Sequence, residues 1–234
     1  MSTIYNPSIV TNGLILCVDA SNLKSYPGSG TTWFDLMANG GNVPIGRIGT
    51  TTFDSANPKG FICTSGFNGK VTSASDPLDL QSQVSLGVWV KPTGTAFSTG
   101  SFYYILGKNL ASGYGDHQYA LNVGNTQNLE FQIGASTLST PYTWTTDAWY
   151  YITATWNGSS ISTYINGLLQ GSIAATSTTF KPNFSISGRS TSSDFTTGIY
   201  PFPGSIALVT IYNQALTSNQ ILQNFNALRG RYSI

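Results

Sequence analysis

Of the 234 residues only 8% are charged, far below the roughly 25% of an ordinary soluble domain, while 13% are aromatic, which separates the chain from disordered sequences. Lys+Arg 10 against Asp+Glu 9 gives near neutrality, and Arg47, Arg189, Arg229 and Arg231 are scattered, so no nucleic-acid partner is expected. No apolar stretch approaches the ~20 residues of a membrane span, and the length suits one large all-β domain with no membrane partner.

Residues 1–12 read as an arm, without periodicity and without the charged and apolar regions of a secretory signal. Residues 13–234 read as a single domain. Its first strand is Leu14–Val18; from Ser21 to Thr52 follow Gly-, Ser-, Thr- and Asn-rich loops with short strands, tied to the domain because Trp33, Phe34 and Leu36 need burial. Cys17 and Cys63 lie in apolar strand-like runs, as two buried thiols or as one bridge; spacing does not choose between them. Val84–Val90 alternates, with Val84, Leu86, Val88 and Val90 on one face and Ser85, Gly87 and Trp89 on the other. Phe102–Leu106, Tyr119–Val123 and Leu129–Ile133 are further strands.

From Trp149 to Ile173, three runs rich in Ile, Thr, Tyr and Trp are separated by Asn157-Gly158 and Asn166-Gly167. Asn-Gly suits a type I′ turn with positive φ at both residues, so these runs predict a three-stranded antiparallel meander. Phe184–Ser187 and Ser205–Ile211 bring the total to about twelve short strands, the pattern of a two-sheet antiparallel sandwich. One helix is predicted: Thr217 and Gln220 form a capping box, Ile221, Leu222, Phe225 and Leu228 share a face, and Gly230 is placed to end it. It should lie against the sandwich and close one end. About a quarter of the residues are Ser or Thr, so hydroxyls and amides must carry solubility on outward strand faces, as in many extracellular and virion β-proteins.

The chemistry is sparse. Retaining glycosidases need two carboxyl groups about 5–5.5 Å apart, yet Glu130 is the single glutamate and its strand carries no second carboxylate. Asp76 and Asp79 flank Pro77 and read as turn caps, and Asp19 as an Asx-type brace for the loop after it. No Gly-x-Ser-x-Gly elbow occurs, and no second His or Cys stands at zinc spacing from His117. No enzyme is expected. Sugar binding asks for aromatic faces with short polar groups, which Tyr114, Asp116, His117, Tyr142 and Trp144 supply as glycan-binding candidates. Trp144 reads equally as a plug in one end of the sandwich. Trp89, Trp149 and Trp156 read as core, and one tyrosine of each pair Tyr103-Tyr104 and Tyr150-Tyr151 must face outward.

The blocks VSLGVWVKP (84–92), AWYYITATWNGSSISTYINGLLQGS (148–172), ISGRS (186–190) and PGSIALVTIYNQALTSNQI (203–221) stand in the order of a known family. The chain resembles the laminin-G-like branch of the concanavalin A-like lectin/glucanase superfamily. The resemblance implies a jelly-roll sandwich with one short C-terminal helix. It also implies a candidate calcium ligand in Asp116, just ahead of a strand, and no other cofactor. Ala207 stands where the family often has an acidic residue. The opening block GLILCVDASNLKSYPGSGTTWFDLMANGGN resembles the form found in tailed-bacteriophage virion proteins. That implies a virion surface location, partners such as the major capsid protein, and homo-oligomeric neighbours. Residues 1–12 and Arg229–Ile234 would be flexible anchoring segments. The expectation is a non-enzymatic capsid decoration protein with weak glycan adhesion; the alternative is a carbohydrate-binding module or tail adhesin for host-surface glycans.

Overall fold

The computed structural model describes residues 8–37, 45–47, 51–63, 67–69, 76–94, 97–109, 117–176, 183–190 and 198–234, with the backbone alone at 45–47, 67–69, 190 and 198–199. The strands in chain order are β1 (Leu14–Asp19), β2 (Thr32–Trp33), β3 (Ile45–Arg47), β4 (Thr52–Asp54), β5 (Gly60–Cys63) and β6 (Phe67–Gly69). There follow β7 (Val84–Pro92), β8 (Tyr103–Asn109), β9 (His117–Val123), β10 (Leu129–Ile133), β11 (Ser136–Thr140) and β12 (Tyr150–Trp156). The last are β13 (Ser160–Ile165), β14 (Leu168–Ala174), β15 (Phe184–Ile186), β16 (Arg189–Ser190), β17 (Gly198–Ile199) and β18 (Gly204–Tyr212), before helix α1 (Ser218–Leu228). The strands beyond those the sequence predicts are mostly two or three residues long, too short to carry a pattern.

Sheet I runs β14–β13–β12–β7–β18–β5–β4, with β1 also paired to β18; sheet II runs β11–β10–β9–β8–β15–β6–β3–β2; β16 and β17 pair separately. The ladders are antiparallel, and the meander β12–β13–β14 stands as predicted. Its second turn has positive φ at Asn166 (51°) and Gly167 (82°). The first turn differs. Only Gly158 takes positive φ (96°) there, because the Asn157 carboxamide accepts from the amides of Ser159 (3.0 Å) and Ser160 (2.9 Å).

The alternation of β7 is realised: Val84, Leu86, Val88 and Val90 join Leu16, Phe61, Leu121, Phe131, Ile152 and Val209 in the core between the sheets. The opposite face of sheet I is buried as well. Trp89, Tyr151, Tyr164, Tyr212, Cys17 and Ile221 form a second cluster, in which a β18 bulge at Ala207 and Leu208 turns two successive residues outward. Cys17 and Cys63 are free thiols in different clusters, one under each face of the sheet.

Helix α1 begins as predicted. Thr217 Oγ1 accepts from Gln220 N (3.3 Å), and Gln220 Oε1 accepts from Thr217 N (2.9 Å). It lies over the outer face of sheet I rather than across an end, because that is where the apolar row of β7, β12 and β18 needs cover. Gly230 does not end it; the helix stops at Leu228 and tightens into a 3-10 turn over Arg229–Tyr232, and the left-handed residue is Ser233 (φ 58°). Tyr232 stacks on Trp89 (3.8 Å, 10°) and leans on Trp149 (4.9 Å), and Arg231 Nη1 lies 2.7 Å from Asp19 Oδ2. Asp19 also braces its loop as expected, accepting from Ser21 N (2.9 Å). Residues 8–12 pack on the same face. Val10 N donates to Asn224 Oδ1 (2.7 Å), Tyr212 OH donates to Val10 O (3.0 Å), and Asn224 Nδ2 donates to Tyr212 OH (3.0 Å). The chain through Tyr232 is therefore packed, in place of a flexible C-terminal anchor.

Lys108, 1% exposed, is paired with Asp76, whose Oδ1 accepts from Leu78 N (2.9 Å) as a turn cap does. Asp79 accepts from Gln118 Nε2 (2.6 Å), and Tyr119 OH donates to Leu78 O (2.9 Å), so the 76–81 loop is fastened to β8 and β9.

Two outcomes follow from this packing. Alanine at Tyr232 removes a ring held between two tryptophans and should lower unfolding free energy by about 3 kcal/mol, read from urea denaturation. Burial pushes the Cys17 and Cys63 thiols up to about 12, and the phenols of Tyr119, Tyr151, Tyr212 and Tyr232 upward as well. These groups stay protonated in the fold while an unfolded chain releases thiol protons from about pH 8.5. Their contribution is complete below that pH and is lost as pH climbs through the folded values. Urea midpoints should thus fall steadily above about pH 9; a midpoint unchanged at about pH 10 would contradict the burial argument.

Candidate functional site on the outer face of sheet II

In β9 and β10 the residues Tyr119, Leu121, Val123, Leu129, Phe131 and Ile133 point into the core. Period-2 geometry therefore sends Gln118, Ala120, Asn122, Glu130 and Gln132 to the outer face. Strand register aligns them in rows. Tyr104 on β8 pairs with Asn122, Asn122 with Glu130, and Glu130 with Ser139 on β11. The next row is Gly107, Ala120, Gln132 and Thr137, and beyond it Asn109 faces His117 with Gln118 as the extra residue of a bulge. The two outer faces thus contrast: sheet I is apolar there and covered by α1, and sheet II is polar.

Hydrogen bonds organise the polar row only partly. Asn122 Nδ2 donates to Glu130 Oε2 (2.9 Å), Ser139 Oγ lies 3.5 Å from Glu130 Oε1, and Asn128 Nδ2 donates to Ser139 Oγ (3.1 Å). The carboxylate packs directly on the backbone of Gly124, where a Cβ would fall 2.1 Å from Glu130 Oε1. Asn122 Oδ1, Gln118 Oε1 and both side-chain polar atoms of Asn109 are buried and make no hydrogen bond. A buried polar group left unpaired costs about 1–3 kcal/mol, a cost that ordered water or a ligand would relieve.

His117 lies on this face at 4% exposure, its ring 6.0 Å from that of Tyr104, and the Arg189 guanidinium sits 5.5 Å over the same tyrosine. Tyr114 and Asp116 fall outside the described residues. Tyr142 and Trp144 come together elsewhere, half-buried and edge to face at 4.8 Å. Trp144 is further ringed by Phe97 (5.5 Å) and Tyr150 (5.3 Å), and its Nε1 donates to Gln127 O (2.9 Å). Those are the contacts of an end plug. Gln127 lies just past the C-terminal end of β9 and His117 opens that strand, which separates the two places by roughly 20 Å at about 3.3 Å per residue. The described candidates therefore mark two locations.

Glu130 has Asn122 and Ser139 as cross-strand partners, with no second carboxylate beside it among the described residues, and Asp76 is engaged with Lys108. Among the described residues, no three of His, Cys, Asp and Glu are grouped to hold a metal ion. The sequence reading places one tyrosine of the Tyr103-Tyr104 pair outward but looks to loops for the rest and passes over Gln118, Asn122 and Gln132. The signal is present in LEFQI, where Glu130 and Gln132 alternate with apolar residues, and in HQYALNV, where Tyr119, Leu121 and Val123 alternate with Gln118, Ala120 and Asn122.

The fold is widely shared. A sialidase of Trypanosoma rangeli, in complex with sialic acid, superposes with a TM-score of 0.68 at 16% identity, over 97% of this chain and 35% of that one. The binding domain of botulinum neurotoxin DC, in complex with SialylT, gives 0.62 at 16% identity over 92% and 52%. The receptor-binding domain of a botulinum neurotoxin C/D mosaic serotype gives 0.61 at 15% identity over 91% and 51%. This chain thus spans about a third of the sialidase and about half of the neurotoxin domains, and at these identities the likeness is one of fold. No curated protein matches the sequence significantly. A family model of the laminin G type, described as concanavalin A-like lectin/glucanases superfamily, matches residues 64–222, more than half of the chain. The chain belongs to the concanavalin A-like lectin/glucanases superfamily.

Proposed function

We propose that this is a non-enzymatic carbohydrate-binding protein of a bacteriophage virion surface, holding glycans on the outer face of sheet II. The observation that carries the reading is the set of buried, unpaired amide atoms on Asn109, Gln118 and Asn122 along this face, the last also hydrogen-bonded to Glu130. Sugar hydroxyls are donors and acceptors at once, and amides meet them in both senses without charge. Superfamily membership supports the reading, as do the two structural neighbours whose complexes hold sialic acid and SialylT. Net gains of about 0.5–1.5 kcal/mol per hydrogen bond make a single site weak, which suits a protein displayed in many copies.

Several parts extend past the described face. Tyr114 and Asp116, a few positions ahead of His117 in the sequence, are further proposed glycan ligands, Asp116 also the ligand of any calcium bound; Tyr142 and Trp144 would form a separate subsite. The virion setting, with the major capsid protein or its neighbours as partners, rests on the resemblance of the N-terminal block. The non-enzymatic part is supported by Glu130, which has no second carboxyl group beside it among the described residues, whereas hydrolysis by a carboxylate pair with retention needs one about 5–5.5 Å away.

On a glycan array the full chain should bind saturably. Asn122→Ala should weaken that binding roughly tenfold without loss of fold, by removing a hydrogen-bonding centre. Trp144→Ala should lower the melting temperature, because the ring plugs one end of the sandwich, and should also abolish binding at the second subsite. Silence across the array would remove the carbohydrate assignment. Purified particles from the source lysate should carry the chain at fixed stoichiometry; particles lacking it would end the virion assignment and leave the sugar chemistry standing.

A further inference from the structure

Among the described residues, five strands of sheets I and II have one unpaired side, namely β14, β4 and β1 in sheet I and β11 and β2 in sheet II. The free side of β1 is met by the residues just after β2, with Leu36 N donating to Cys17 O (2.8 Å) and Cys17 N to Asp35 Oδ1 (2.9 Å). β4 and β2 are three and two residues long, and β11 lies against the neighbouring sheet, with Thr140 Oγ1 3.2 Å from Thr163 Oγ1. β14 is seven residues long and pairs on one side only. Natural sheets protect such an edge with lysine, proline, bulges or short length. Residues 148–180, which include all of β12–β14, contain no Asp, Glu, Lys, Arg or Pro. One device is present: a register shift opposite Thr163 and Tyr164 sets Gln170 out of the ladder, and its Nε2 donates to Leu168 O (2.9 Å). Beyond it, Ser172, Ile173 and Ala174 are exposed and regularly paired to β13.

The same edge is apolar. Leu168 is 66% exposed, Leu169 58% and Ile173 37%, and α1 adds Leu222 at 41%. Leu222 belongs to the same surface, since a Cβ at Gly167 would fall 3.0 Å from its Cδ1. We infer that β14 pairs with β14 of a second copy, antiparallel across a two-fold axis, joining two eight-stranded sheets into one. An open strand edge offers alternating N–H and C=O groups, which only another extended backbone matches in full. A two-fold axis brings β14 onto itself antiparallel, so the contact is closed and self-complementary. Charge selects the same partner: an edge without ionised groups meets no repulsion from its own copy and gives a charged partner nothing to pair with. The pairing stands independently of the carbohydrate assignment.

The test is sedimentation velocity on the purified full chain from about 1 to about 100 μM, the range in which a modest interface shows itself. Wild type should sediment as a dimer. Ile173→Lys and Leu169→Lys, at exposed positions, should keep the far-UV circular dichroism and weaken the dimer by about 100-fold, because like charges then meet across the axis. Leu23→Lys, at a residue equally exposed (67%) but outside this edge, should leave the dimer intact. A monomer throughout the range, a higher oligomer, or a dimer indifferent to both edge lysines would each overturn the inference.

Discussion

The structure depends on sheet I being buried on both faces. Antiparallel sheets commonly bury one face and wet the other, and the strands then read as clean alternation. Here β7 and β18 alternate between two different interiors, one shared with sheet II and one lying under α1 and the 3-10 turn. That demand explains why aromatic residues occupy the outward positions: Trp89 and Tyr151 give broad rings for Phe225 and Tyr232 to cover, and Tyr212 holds Val10 and Asn224 through its hydroxyl. It also explains Ala207. A bulged residue beneath a covering layer must be small, and an acidic side chain there would be buried without a partner.

The chain's own helix covers the outer face of sheet I, and the outer face of sheet II carries buried polar groups instead of an apolar cluster. The polar groups of sheet II are mostly amides and hydroxyls, which suits a chain with one glutamate and few charges. Amides tolerate burial better than charges and can both donate and accept, at the cost of leaving some atoms unpaired in the fold.

Legibility followed the range of the interaction. The meander and the capping box are written in contiguous residues, so Asn166-Gly167 and Thr217–Gln220 appear where the sequence places them. The seat of α1 depends on Trp89 and Tyr151, far back in the chain, and no local pattern distinguishes a sandwich end from a sheet face. Asn157 was misread because its side chain competes with the backbone for the turn amides. The amide row was half legible. Alternation gives Asn122 and Glu130 their common face, but only the pairing of β8, β9, β10 and β11 makes Tyr104, Asn122, Glu130 and Ser139 neighbours.

The position of β18 has a consequence for how the fold is reached. It is the last strand in sequence, yet it lies inside sheet I, between β7 and the pair β1 and β5. Until it is synthesised β1 has no strand to join, and Asp19 waits 212 residues for Arg231. Contacts so distant in sequence carry a large loop-closure cost before they return anything, which favours slow, late closure. During translation the apolar strands β1, β5 and β7 are therefore exposed together with an unfilled slot between them, and the sequence most able to fill it is the β18 of its own chain.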